Sequence, residues 1–270
     1  MAKPVIRLRS MRVGFVGAGN MASGIARGWA AAREEPGAPE AMLFADAVPE
    51  KAKALAEAVG GEAVEGNRKL AEASDLVLLA VKPNVLHEVA PELAQVGTPV
   101  VSILAGTSVA RLHDALPHVQ VVRVMPNLGA QLRQAVLCVV YPECTQAEHR
   151  ERVDALLALL GEVIELEEEL IDAATALMGC APGYLAMFAE VLADAGRREG
   201  LAEDQAKRMV ARAITATGGL LDFRDPGELK RAVASPGGMT EAGLGALKGH
   251  GFERALRAAV DASLERARAL

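Results

Sequence analysis

Apolar and polar positions divide the chain into two textures. Across residues 12–166, short and nearly uninterrupted apolar runs recur: "RVGFVG", "AMLFAD", "DLVLLAV", "PVVSIL" and "VQVVRVM". Runs without polar alternation read as strands buried on both faces. Helical spacing falls between several of them, as over residues 49–59 and 84–95, so the pattern predicts α/β architecture with a parallel, doubly wound sheet. Near the end of this half, "AVLCVVY" and "GEVIEL" flank a helical "QAEHRERVDALLALL".

After Glu167 the strand pattern stops. "LIDAATALMG", "YLAMFAEVLADAGRREG", "EDQAKRMVARAITATGGLL" and "FERALRAAVDASLERARAL" all carry apolar residues at helical spacing. They are interrupted by Gly200, "RDPGE" and "SPGG". The boundary is set near 166, giving a sheet domain over 11–166 and an all-helical domain over 167–270, with no Ser/Gly linker and no internal repeat. Ala186, Met187, Phe188, Val191, Leu192 and Ala195 cover more than one helix face. That width exceeds what one buried stripe needs, so the helical domain is expected to self-associate.

Composition narrows the class. Of 270 residues, 51% are hydrophobic and 24% charged, enough to build a packed core, while aromatics at 3% leave that core to Ala, Leu and Val. A net charge of −6 without a basic run argues against nucleic acid or an anionic membrane as partner. Cys138, Cys144 and Cys180 have no metal-site spacing, which suits a reduced, cytoplasmic compartment. No apolar run reaches the roughly 20 residues of a membrane span. The opening "MAKPVIRLRS" lacks the apolar core of a signal peptide and reads as an extension before a strand starting near Met11. The five histidines are scattered in polar helical contexts and read as surface residues.

The first strand runs into "GAGNMASG" and a helix, which turns a weak glycine pattern into a dinucleotide fingerprint. Gly17 permits the tight turn and Gly19 lets the backbone approach a pyrophosphate. Asn20 and Met21 open the helix whose N-terminus favours the anion. The second strand ends in Asp46, where an acid binds adenosine ribose hydroxyls and repels a 2′-phosphate. Ala47 and Val48 follow with no Arg, so NADH is favoured; NADPH stays possible through Lys51 or Arg68. Asp46 also suits the N-cap of the helix in "VPEKAKAL".

Ligands of open α/β sheets bind at the carboxyl ends of the strands. Those ends are Ala80, Lys82 and Pro83 in "AVKPN", Ala105 and Gly106 in "LAGT", and Asn127 in "MPNLGA". Lys82 reads as a group on the cleft rim or as a solvated charge. Asn127 reads equally as a cleft residue or as a turn former after proline.

Together, "GFVGAGNM", "LAVKP", "SILAGTSV", "VRVMPN", "LADAGRREGL" and above all "SPGGMTEAGL" resemble the pyrroline-5-carboxylate reductase family, in order and spacing from about Met11 to the C-terminus. The resemblance implies reduction of a cyclic imine, 1-pyrroline-5-carboxylate, to L-proline by NAD(P)H. It implies a Rossmann domain followed by an all-α dimerisation domain, with dimers that assemble further into rings. It places Asn67 on the adenosine side of the cofactor and the Ala105 backbone at the nicotinamide amide.

Under that resemblance the "SPGGMT" segment gains a role. Pro236 is expected to start a helix, with Gly237 and Gly238 turning the backbone so that N–H groups face outward. Those of Gly238, Met239 and Thr240 are expected to bind the imino acid's carboxylate. The Thr240 hydroxyl is expected to meet the ring nitrogen, making Thr240, with Lys82, a candidate for the catalytic centre and Asn127 a candidate substrate contact. No metal is implied.

The chain departs from the family at three places. Leu128-Gly129 stands for Thr-Pro, "RQA" (133–135) for "GEG", and "MGCAPGY" (178–184) for Ser-Gly-Ser-Gly-Pro-Ala-Tyr. One rival is a related imine or β-hydroxyacid reductase, although the hydroxyacid type needs a lysine that "MGCAPGYLAMFAEVLADAG" lacks. A non-catalytic sensor of dinucleotide or proline is the other.

Overall fold

The structure is a computed structural model that describes residues 11–268; the expected N-terminal extension lies outside the described residues. Eight strands form one sheet: β1 (Arg12–Val16), β2 (Ala41–Ala45), β3 (Glu62–Ala63), β4 (Leu76–Leu79), β5 (Val100–Ser102), β6 (Val121–Met125), β7 (Ala135–Val140) and β8 (Gly161–Glu165). Their order is β3-β2-β1-β4-β5-β6-β7-β8. Six helices intervene: α1 (Asn20–Ala31), α2 (Pro49–Val59), α3 (Asn67–Glu72), α4 (Leu86–Val96), α5 (Val109–Ala115) and α6 (Ala147–Ala158).

The uninterrupted apolar runs exist because β1, β2, β4, β5, β6 and β7 bury residues on both faces, whereas β3 and β8 at the sheet edges stay largely exposed. Val13 and Phe15 of β1 join a core with Ile25 and Trp29 of α1 and Leu156 of α6. Val16, with Val77 and Leu79 of β4, joins a second core under Leu93 of α4 and Leu112 of α5. Trp29 is tied in as well, donating its indole N–H to the Leu156 carbonyl at 2.8 Å.

One pairing departs from the all-parallel expectation: β6 and β7 run antiparallel, Arg123 opposite Val140. Their connection holds only a short 3₁₀ helix, Leu128–Leu132, and is shorter than the dozen or so residues a parallel crossover needs. A second correction concerns histidine. His149 on α6 is buried, not at the surface, and its Nε2 has no partner among the described residues.

Beyond the sheet come α7 (Ile171–Ala174), a π turn (Thr175–Gly179), α8 (Ala181–Arg198), α9 (Glu203–Leu221), α10 (Pro226–Val233), α11 (Met239–Gly249) and α12 (Phe252–Arg268). The described residues form two compact units: those up to Gly179 together with residues 264–268, and Cys180–Ser263. The last strand closes at Glu165, yet the first unit continues to Gly179. It does so because Ile171 packs with Met125, Cys138 and Val140 on the sheet. Among the described residues one helical run, Glu168–Arg198, is long and apolar enough to cross a membrane, and little of it is buried.

Candidate active site

The sheet reverses its strand order beside β1 and β4, and the glycine loop sits at that point. Gly17 has φ +101°, and a Cβ there would stand 2.7 Å from the Ala80 carbonyl oxygen. Only glycine fits such a turn. Gly19 is the N-cap of α1 and has no side-chain cap; a Cβ on it would meet nothing within 4 Å. The first turn of α1 carries no acidic residue. Its free N–H groups and helix dipole face an open approach that suits a pyrophosphate.

Asp46 does more than end a strand. One carboxylate oxygen accepts from the Ala18 N–H at 2.8 Å and the other from Val48 N–H at 2.9 Å. The N-cap of α2 is Val48, so the capping alternative for Asp46 does not hold. The carboxylate instead ties the glycine loop to the end of β2, with lone pairs to spare for a ribose diol.

Asn67 opens α3, its side-chain amide 3.4 Å from Glu92 Oε1. Arg68 donates to Glu72 at 3.0 Å and to Gln95 at 3.2 Å, which occupies its guanidinium. Ala80 and Met21 are half-buried against the first core. Lys82 is exposed as N-cap of the short 3₁₀ helix Pro83–Val85, and Asn20 is exposed at the start of α1.

On the other side of the switch point, Ala105 and Gly106 follow β5, Gly106 at φ +63°. Thr107 is fully buried and its hydroxyl reaches the Ala105 carbonyl at 3.4 Å. Asn127 takes the turn role: its Oδ1 accepts from Gly129 N–H at 3.1 Å and its Nδ2 donates to the Met178 carbonyl at 3.2 Å. Arg133, where the family pattern has glycine, holds φ +59° and donates Nε to the Leu159 carbonyl at 2.9 Å.

In the helical unit, the "SPGG" segment forms a turn before α11. Gly238 N–H donates to the Ser235 carbonyl at 2.9 Å, with Gly237 at φ +70°, the conformation that follows Pro at the centre of such a turn. Pro236 therefore precedes the helix instead of starting it, and Gly238 is its N-cap. The Gly238 N–H is engaged, contrary to expectation. Gly237 N–H is held by Glu241 Oε2 at 2.7 Å. The outward donors are those of Met239 and Thr240, in the first turn of an eleven-residue helix. Thr240 is exposed, and a Cβ on Gly238 would stand 2.4 Å from Ser235 Oγ.

Arg123 escaped the sequence reading. It is 4% exposed on β6 and paired with Glu168. Its only signal was a lone charge inside "VVRVM".

Known proteins match both halves. A pyrroline-5-carboxylate reductase dimerisation family model covers residues 168–270, and one described as NADP oxidoreductase coenzyme F420-dependent covers 12–106. The chain is 38% identical to pyrroline-5-carboxylate reductase of Thermus thermophilus, over 95% of this chain and 97% of that one. A solved Streptococcus pyogenes 1-pyrroline-5-carboxylate reductase is 29% identical, with a TM-score of 0.86 over 97% of this chain and 99% of that one. A Plasmodium falciparum pyrroline carboxylate reductase with NADP bound is 25% identical, with a TM-score of 0.85 over 97% and 98%. Similarity that spans both chains almost end to end, on this fold, shows that the chain belongs to the pyrroline-5-carboxylate reductase family.

Proposed function

We propose that the protein reduces 1-pyrroline-5-carboxylate to L-proline. The observation that carries this reading is the open start of α11, where Met239 and Thr240 N–H groups follow the Ser235–Gly238 turn. When bound, the reduced nicotinamide dinucleotide supplies the hydride. The two N–H groups hold the substrate carboxylate at a positive helix end. The Thr240 hydroxyl orients the ring nitrogen. A protonated imine accepts hydride at carbon, and the nitrogen keeps its proton as the amine of proline. Orientation and exclusion of water are the protein's share.

In this reading residues 11–166 bind the dinucleotide. Gly17, Gly19, Asn20 and Met21 receive the pyrophosphate. Asp46 and Asn67 face the adenosine, and Ala80, Lys82, Pro83, Ala105 and Gly106 line the nicotinamide side, with Asn127 holding the adjoining turn. Residues 167–270 form the dimer, the exposed apolar face of α8 with Met187, Phe188, Val191 and Leu192 serving subunit contact in a cytoplasmic enzyme, with rings of dimers above it. NADH is the preferred donor, because Asp46 disfavours a 2′-phosphate and Arg68 is occupied by Glu72 and Gln95. A tenfold or greater NADPH preference in kcat/KM would overturn that part. Replacing Asp46 to switch cofactor should also cost stability, since its two backbone bonds go with it.

Thr240→Ala tests the substrate site. Loss of a hydrogen bond to a charged group, about 1.5–3 kcal/mol, should lower kcat/KM by roughly one to two decades. NADH binding and dimerisation should stay unchanged. Wild-type kcat/KM in Thr240→Ala would mean that the imino acid is held elsewhere. NADH binding without imine-dependent oxidation in the wild type would favour the sensor reading.

A further inference from the structure

Arg123 lies inside the sheet unit at 4% exposure, where a guanidinium must be paired. Its Nη1 donates to Glu168 Oε1 at 2.8 Å, and Nη2 lies 3.8 Å from Asp172 Oδ1. The same Glu168 oxygen accepts the Val109 N–H at 2.7 Å. Val109 is the first residue of α5, directly after the Ala105–Ser108 loop. One carboxylate oxygen therefore joins a buried cation to the exit of that loop.

Other ties act on the same segment. Ala105 and Val109 pack against the cluster that contains Ile171, and Asn127 holds the Met178 carbonyl. Residues 168–178 thus brace the ends of β5 and β6. A buried ion pair adds little net stability over an apolar pair of similar size, yet it fixes geometry. Here the fixed point is the N-terminus of α5, and the Arg123 Nε is left buried without a partner among the described residues.

We propose that Arg123 and Glu168 are positioning residues that hold the Ala105–Ser108 loop in register for the nicotinamide end of the cofactor. This rests on the reading above that the loop meets the nicotinamide. Neither side chain touches the reacting atoms; both act through the loop.

The test compares NADH with ADP-ribose, which shares every part of the cofactor except the nicotinamide end. Dissociation constants are measured for the intact dimer of the wild type, of Glu168→Gln and of the double variant Arg123→Met with Glu168→Leu. The double variant removes the buried guanidinium and its half-buried carboxylate partner together and leaves neither unpaired. In both variants NADH should bind about tenfold more weakly, the loss of one well-placed contact, while ADP-ribose affinity stays within about twofold. The kcat for imine reduction should fall with it. Equal weakening of both ligands, or of neither, would overturn the proposal and leave the pair a purely structural one. If wild-type NADH binds no tighter than ADP-ribose, the loop's nicotinamide contact falls, and the proposal with it.

Discussion

Helices α1 and α8 are both rich in alanine and other apolar residues, yet they meet opposite fates. α1 buries Ala22, Ile25, Ala26 and Trp29 against the sheet. It approaches the 3₁₀ helix Leu128–Leu132 so closely that a Cβ on Gly28 would stand 2.2 Å from the Ala130 carbonyl. α8 is half as long again but buries only Ala193, which meets Ala206 and Val210 of α9. Met187 and Val191 on α8 remain 67% and 62% exposed. A two-faced sheet gives every helix of the first unit a surface to cover. A helical unit offers none of that breadth within one chain, so its apolar faces need a second copy, as the dimerisation family model over 168–270 requires.

The largest effect should come from breaking α8. Met187→Glu with Val191→Glu would bury unpaired charges in the dimer, each costing several kcal/mol, and should yield monomers at micromolar concentration. Sedimentation velocity reads the outcome directly. The matching change in the sheet unit, Val48→Glu at an exposed position before α2, should alter stability by no more than about 0.5 kcal/mol. A double variant that stays dimeric would remove the contrast between the two units.

Within the sheet unit, neighbouring glycines sharpen the comparison between packing and function. Gly17→Ala combines positive φ with a clash on Ala80 and should cost about 1–3 kcal/mol or more, seen as a lowered Tm together with lost cofactor binding. Gly19→Ala meets no protein atom within 4 Å, so its Tm should not move. Its NADH affinity should nonetheless fall by about tenfold, since a Cβ blocks approach to the backbone. Normal NADH affinity in Gly19→Ala would break the reading of this loop.

Much of this was legible because local rules and tertiary packing agree. The helix expected over 49–59 is α2, with Pro49 at its start and left-handed Gly60 after its end. Strand direction was not legible at β6 and β7, since runs buried on both faces look the same either way. The turn before α11 carried its own warning: Pro-Gly at the centre of a turn commits the next N–H to closing it, as Gly238 does. Asp46 was found by its position, but its bond to Ala18 depends on two loops meeting across the sheet edge. Arg123 and Glu168, 45 residues apart, form a contact that no local pattern encodes. His149 was readable after all, because residues 149, 153, 156 and 157 share one face of α6 and all four are buried.

His149 also gives the smallest and most specific test of how tightly the sheet unit is closed. Burial, assisted by the Arg152 charge, lowers its pKa below the ordinary histidine value of 6.5. From about a unit above the ordinary value the imidazole is almost wholly neutral in folded and unfolded chains alike, and contributes little pH dependence. As pH falls through 6.5 the unfolded chain takes up a proton that the folded chain resists, so stability falls with pH until the folded pKa is passed. One proton sets the upper limit of that slope, about 1.4 kcal/mol per pH unit. Chemical denaturation of wild type and His149→Leu between pH 7.5 and pH 5, intervals chosen to straddle the ordinary value of about 6.5, isolates the contribution by difference. The variant should lose less stability on acidification than the wild type. Parallel curves would mean that water reaches His149 in solution, and that the α6 face of the core is more open than α1 on the same side.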